Sequence, residues 1–420
     1  MSVSKYQKYF DKCINFNQNN KYHNLTLDKH IECAVNRAKE LGYSDTIIEA
    51  LKWHDFGKLF CATTDENGTH YIGHPQASAD IYKESNDNEY VYNLIKLHNV
   101  PITTKLINKY GFEFCKDLMR VKECDDFAHN DYAKQNTSNV KEKQREQVVM
   151  KKAERAYKID KRLKSDFDYL QSLGYEVVCV CLQGSQNYNL DTDKSDIDTK
   201  AIVLPKFSDF IDDTKAVSTT IVLPSTEHID VKDIRVMFDV LKKSNVNFLE
   251  ILFTKYKILN KKYSKLIAPI FANAEKLAMS DKKALINCCY GMSMQKYVAL
   301  KHPYPTIKDK IDKYGYDPKQ LHHIIRMNLF LKDIVNGKTF KSSLIPQNIG
   351  YLISVKYGVH PLETAERLAK ELIEETFNIK EKALNENNFV VDTEAQNIYN
   401  KVKKDILTRW FREELNKVEV

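Results

Sequence analysis

The stretch Leu182–Pro205, LQGSQNYNLDTDKSDIDTKAIVLP, decides how the middle of this chain is read. It continues the apolar run EVVCVCL, which has the length and β-branched content of a buried strand. Gly184 and Ser185 turn the chain out of that strand. Glycine lets backbone N–H groups approach an anion closely, and a serine hydroxyl adds a donor. Asp196 and Asp198 then open the next apolar run, TKAIVLP. Side chains alternate along a strand, so both carboxylates are expected on one face of it, with Ile197 on the other. Two carboxylates this close repel each other unless a divalent cation lies between them. A phosphate-gripping turn beside paired carboxylates is what metal-assisted nucleotidyl transfer requires. A lone Gly-Ser or a lone Asp-x-Asp is weak; the order strand, Gly-Ser, loop, Asp-Ile-Asp, strand is fairly specific.

Outward from this stretch, STTIVLP is another β-prone run, while VKDIRVMFDVLKKS and NFLEILFTKY carry helical spacing. EHIDVKDI carries three more acids, Glu227, Asp230 and Asp233, on a short strand before a helix. Further on, YGYDPKQLHHIIRMNLFLKDIVNGKTF reads as one helix, with Asp317 as N-cap, Pro318 at the first position and Gly337 as its stop. Lys319, His323 and Arg326 fall at i, i+4 and i+7, a cationic stripe suited to a triphosphate or an RNA end, and equally the polar face of an ordinary helix.

The N-terminal region has a different pattern. In IIEALKWHDFGK, Ile47, Leu51, His54 and Asp55 continue one buried helical stripe. An unpaired buried carboxylate costs several kcal/mol, so a cation is expected beside it. His98 shares a face with Val91, Leu94 and Ile95; Asp125 with Phe114, Leu118 and Val121; His30 with Ala34 and Leu41; His74 precedes Pro75 at a helix start. Each histidine alone is ordinarily structural. Together, His30, His54-Asp55, His74, His98 and Asp125 form a series of imidazoles and carboxylates suited to Mn²⁺, Fe²⁺, Zn²⁺ or Mg²⁺. Two such ions sharing an aspartate would activate water for attack on phosphorus.

Composition sets the frame. The chain has 420 residues, 43% hydrophobic and 29% charged, with a net charge of +7 that permits a nucleic-acid partner without requiring one. Nine cysteines without a C-x-x-C pair read as reduced thiols packed as small hydrophobes, and with no apolar run of membrane length a cytoplasmic protein is expected. The fold class is a multi-domain α+β protein. The expected divisions are an all-helical domain over residues 1–135, a charged helical connector over 136–174, a small mixed-sheet domain over 175–265, and a helical C-terminal region over 266–420.

YHNLTLDKH, ALKWHDFGK, GHPQASA and VKECDDFAH resemble the HD-domain metal-dependent phosphohydrolases, in wording similar to the HD domain found with tRNA CCA-adding enzymes. The resemblance covers residues 20 to 130. It implies His30, His54, Asp55 and Asp125 as ligands of one metal, His74 and His98 as completing a second site, and Lys58 as a phosphate holder; His23 fits the upstream Tyr-His position. The strand–Gly-Ser–loop–Asp-Ile-Asp pattern resembles the DNA polymerase β-type nucleotidyltransferase superfamily, which implies a third carboxylate on a later strand; Asp230 is the best candidate, with Glu227 and Asp233 as rivals. GSQNYNLDTDKSDID, with DIRVMFDVLKKSNVNFLEILF and the Asp317 helix, is similar to the nucleotidyltransferases associated with bacterial RNA repair, the RlaP type, over residues 175 to 345. One departure is Gln186, where that family often has arginine. The resemblance implies Mg²⁺ or Mn²⁺ at Asp196 and Asp198, with Gly184, Ser185, Lys319, His323 and Arg326 around an NTP. The function expected is RNA end processing, with a tRNA-like acceptor. The HD site removes a terminal or cyclic phosphate, and the transferase moves a nucleoside monophosphate from an NTP to a 3′ hydroxyl with two divalent metals. The alternatives are reversible nucleotidylylation of a protein or small molecule, an alarmone synthetase-hydrolase, and a nucleotide-sensing module with degraded sites. Bifunctional nitrogen-regulatory uridylyltransferases carry the same two domain types in the opposite order. Alarmone hydrolases carry a second acidic pair soon after the His-Asp, which HDFGKLFC lacks.

Overall fold

The computed structural model describes residues 4–66, 68–206, 208–211 and 214–418. It is a mixed α+β protein, mostly helical, and it divides into two compact units, Met1–Lys158 and Ile159–Val420. The boundary falls within one helix, Thr137–Ser172. This helix fills the expected connector over 136–174 and is followed by Gly174 at φ +83°.

The N-terminal unit packs helices Leu27–Glu40, Asp45–Trp53, Glu89–Leu97 and Phe112–Ala128 around a core that includes Ile31, Ile47, Leu51, Leu94, Ile95, Leu118 and Val121. It is not all-helical. A short hairpin of β1 (Thr63–Asp65) and β2 (Gly68–His70) pairs Thr63 with His70. The three threonines of TTDENGTH, stiff at χ1, favour a strand over a helix.

The second unit is built on a five-stranded sheet of β3 (Glu176–Gln183), β4 (Asp198–Leu204), β5 (Ser218–Val222), β6 (His228–Asp233) and β7 (Lys257–Leu259), in the order β5-β6-β4-β3-β7. Only β4 and β6 run parallel; β5 lies in their connection, antiparallel to β6. The near-continuous apolar character of β3 follows from burial of both faces. Val177, Val180 and Leu182 meet Ile159, Leu163 and Leu170 of the long helix on one side. Val178, Cys179 and Cys181 meet the core shared with the C-terminal helices on the other. A register shift between Val177 and Cys179 lets Val178 and Cys179 share that second side. That second core continues from Met237 and Phe238 through Leu321, Ile324 and Phe330 to Trp410. Residues 266–420 therefore share a core with the sheet.

Two local readings change. NFLEILFTKY is not one helix: it splits into Val246–Leu249, a 3₁₀ turn Glu250–Leu252, and a lead into β7 against β3. The helix Asp45–Trp53 stops before His54, which caps it, so Asp55 is outside the helix.

Candidate active sites

In the N-terminal unit, His30, His54, Asp55 and Asp125 converge as one buried group able to hold a metal ion, and Asp55, His74 and His98 as a second. His30 Nε2 lies 2.9 Å from Asp125 Oδ1 and 3.2 Å from Asp55 Oδ2. His54 Nε2 is 3.4 Å from each of those two oxygens. The other oxygen of Asp55 faces His74 Nε2 at 3.2 Å and His98 Nε2 at 3.8 Å. Asp55 thus joins the two groups, one oxygen to each.

Three imidazoles are oriented by their own backbone. Nδ1 of His54, His74 and His98 lies 2.6, 2.6 and 2.7 Å from the carbonyl oxygens of Leu51, Tyr71 and Ile95. A carbonyl only accepts, so each Nδ1 carries a proton and each Nε2 is turned inward, with a lone pair wherever the ring is neutral. The Nε2 atoms of His74 and His98 face each other at 3.3 Å. His54 Nε2 is buried without a hydrogen-bond partner, and the ammonium beside Asp55 Oδ2 is that of Lys58. Imidazole nitrogens and carboxylate oxygens converging in this way are an arrangement a divalent cation satisfies, and the donor set suits one. Burial opposes charge on His54, but Asp55 and Asp125 lift its pKa to about 9. Burial and the neighbouring His54 pull His98 down to about 3.

Lys58 is in place but engaged. Its Nζ lies 2.7 Å from Asp55 Oδ2, donates to Gln18 Oε1 at 2.8 Å, and sits 3.3 Å from His23 Nε2. His23 and His129 stand at the rim, ring centroids 4.6 Å apart. With Asn20, Tyr71 and Lys58 they line the cleft that opens onto Asp55 and Asp125. Burial works against a charge on His129, but Asp125 holds its pKa above the ordinary histidine value. His129 was not selected from sequence, although it ends the quoted VKECDDFAH.

The glycine of HDFGK has a steric reason. A Cβ at Gly57 would lie 2.3 Å from the His74 carbonyl oxygen and 2.7 Å from Ser78 N, both backbone atoms. Gly57 N also donates to Ser78 Oγ at 2.8 Å. This close approach brings His74 to Asp55. Gly57→Ala is expected to cost about 2–3 kcal/mol in urea unfolding and to weaken metal retention, because the His74 turn must move; an unchanged unfolding midpoint would contradict this reading.

In the second unit, a cleft of about 720 Å³ opens where the end of β3 meets the start of β4. Its lining includes Gly184, Ser185, Asp196, Asp198, Asp230, Lys319, His323 and Arg326, all chosen from sequence. Of the three candidate acids, alternation puts Asp230 on the cleft side. Ala201, Val203, Ile229 and Val231 face the long helix, so Asp198, Lys200 and Asp230 share the opposite face. Glu227 is taken up by Arg162 and by the Ile197 N–H at 2.9 Å, and Asp233 caps the helix Ile234–Lys242 through Arg235 N at 2.8 Å. Asp196 does not sit on the strand as expected; it lies in the loop before β4, which begins at Asp198. Asp198 Oδ1 accepts from His228 N at 2.9 Å. Among the described residues, the acidic and histidine groups close enough to hold a metal unaided are those of the N-terminal unit. Asp196, Asp198 and Asp230 share a wall without closing on one point.

Asp317 caps its helix through Lys319 N at 3.0 Å, and the helix runs Pro318–Val335. Arg326 is buried, its guanidinium 4.3 Å from the Tyr188 ring centroid, with Nε unpartnered. Sequence reasoning missed Tyr188, Lys200, Lys356 and Glu250. Lys356 lines the cleft and donates to the Leu190 carbonyl at 2.5 Å; burial and the nearby Lys319 and Arg326 lower its pKa to about 8. Burial and the neighbouring Arg326 hold His323 well below the ordinary histidine value. Like charges gathered on one wall suit a polyanion.

Glu250 accepts from Gly184 N at 2.9 Å, so that amide is already used. Burial pushes Glu250 from 4.5 to about 8, against the pull of Arg326. The sign follows from the direction. A raised folded-state pKa means the folded protein holds the extra proton, so this stabilisation is full below about 4.5 and is lost as pH rises through about 8. Glu250→Gln has no such loss. Its stability relative to the parent is expected to rise between pH 5 and 8, by on the order of 3 kcal/mol. Parallel stability curves for the two proteins would refute it.

No protein-family model matches this chain, and a search of curated proteins finds no match. Among the described residues no helix is long and apolar enough to cross a membrane.

Proposed function

We propose that this chain is a bifunctional RNA end-processing enzyme, with an HD-type phosphohydrolase in the N-terminal unit and a polymerase β-type nucleotidyltransferase in the second. The observation that carries the reading is the pair of sites on one chain. One is a buried His/Asp group whose imidazole nitrogens converge on two carboxylates, His54 Nε2 among them without a hydrogen-bond partner. The other is a nucleotide-sized cleft with Asp196, Asp198 and Asp230 facing a cationic wall. The pairing has a chemical logic: a 3′ end bearing a phosphate must be healed to a hydroxyl before a nucleotide is added.

In the hydrolase, His30, His54, Asp55 and Asp125 would hold one divalent ion, and Asp55, His74 and His98 a second. Such ions supply Lewis acidity and a water of lowered pKa. Lys58, His23 and His129 line the approach and receive phosphate oxygens. In the transferase, Lys319, Arg326 and Lys356 bind the triphosphate, Ser185 donates to it, and Asp196 and Asp198 hold Mg²⁺ or Mn²⁺ with the nucleotide. Asp230 faces the acceptor.

The test is a labelling assay with each α-labelled NTP, Mg²⁺ or Mn²⁺, and RNA ending in a 3′ hydroxyl or a 2′,3′-cyclic phosphate. Label removed by ribonuclease, with cyclic ends used only when Asp55 is intact, is the expected result. Label removed by protease instead would replace RNA by a protein acceptor, with the hydrolase as the eraser.

A further inference from the structure

Asp230 does not stand ready for a cation. Lys200 Nζ lies 2.9 Å from its Oδ2, and Lys232 Nζ 3.2 Å from its Oδ1. The parallel register sets Lys200 directly opposite Asp230. Alternation sets Lys200 on the face of Asp198, two residues away. Lys200 is only 5% exposed, and its ammonium lies 4.1 Å from the centroid of the Phe248 ring. A buried ammonium needs compensation; Asp230 and the ring face supply it. Lys200 lines the cleft, as do Asp198, Asp230 and Phe248, whereas Lys232 is not part of its lining. A divalent ion shared by Asp198 and Asp230 would have to sit against this fixed positive charge.

We propose that Lys200 is a catalytic residue of the transferase cleft, its ammonium taking the place of a second divalent cation, so that the cleft binds one divalent ion per nucleotide, at Asp196 and Asp198. This rests on the nucleotidyltransferase reading above. The acceptor hydroxyl docks between Lys200 and Asp230. Its proton passes to the Asp230 carboxylate, its oxygen bonds to the α-phosphorus, and the bond from that phosphorus to the bridging oxygen breaks, releasing pyrophosphate. Lys200 holds the negative charge that develops on the attacking oxygen.

The test counts ions. The full-length protein is titrated with Mn²⁺ by electron paramagnetic resonance in the presence of each α,β-methylene nucleoside triphosphate in turn. The ions of this cleft are those lost in Asp196→Ala with Asp198→Ala. One ion is expected in the parent and in Lys200→Arg. Lys200→Met should still bind the analogue within threefold, lose label transfer at least a hundredfold, and be partly rescued by arginine at the same position. Two ions in the parent, or a Lys200→Met protein that transfers label within threefold of the parent, would overturn the proposal while leaving the transferase reading intact. Failure of every analogue to bind would instead remove the transferase reading and this proposal with it. Thermal unfolding of Lys200→Met separates a folding defect from a catalytic one, and the ion count in the parent stands in either case.

Discussion

Asp55→Ala is expected to empty the N-terminal unit of metal and to reduce phosphoester hydrolysis by on the order of a thousandfold or more. Asp55 alone reaches all four imidazoles, from 3.2 Å at His30 to 3.8 Å at His98. Asp125 faces only His30 and His54 of these. Without Asp55, neither group has its shared carboxylate, and Lys58 is left buried without its counter-charge. Breaking such a buried pair costs about 3–5 kcal/mol when no metal compensates. The measurement is metal content of the dialysed protein by mass spectrometry, beside hydrolysis of cyclic-phosphate RNA and a urea unfolding curve. His302→Ala is the control, since His302 is exposed in the second unit, against the Tyr304 ring. Full metal content in Asp55→Ala would show that the two groups do not depend on this residue.

The second large effect is expected from Asp196→Ala combined with Asp198→Ala. Label transfer should fall by about a thousandfold, because the cation that accompanies the triphosphate loses both of its protein carboxylates. The fold should barely notice. Asp196 is exposed and Asp198 half-buried, and the hydrogen bond that His228 N donates to Asp198 is worth about 1 kcal/mol. Hydrolysis in the N-terminal unit should be unchanged. The readouts are transfer, hydrolysis and unfolding midpoint on one preparation. Transfer retained within tenfold would displace these two residues from the reaction.

The residues legible in the sequence were those whose signals are local. Asp317, Pro318 and Gly337 marked their helix because capping chemistry acts over a few residues. The histidines and acids of the N-terminal unit lay on apolar stripes, which the core then buried together. What needed the fold was everything set by distant partners. Glu250 reads as one more residue of a helical run until Gly184, 66 positions earlier, is found donating to it. Asp230 kept Glu227 and Asp233 as rivals until the parallel register with β4 showed which residues share a face. Strand β7 was hidden because its three residues pair with Cys179–Cys181 in space, and nothing nearby in sequence announces them. Gly57 needed the His74 backbone above it.

The hydrogen bonds from Nδ1 of His54 and His98 have one more consequence. Leu51 and Ile95 lie in the last turns of their helices, where carbonyls have no partner further along. Each imidazole therefore seals the end of the helix that delivers it. The same proton leaves the far nitrogen as the one turned toward Asp55, so helix termination and the aim of the imidazole are one event. Glutamine or asparagine at these positions restores the seal only with a differently placed donor, and alanine frays the helix as it removes the imidazole.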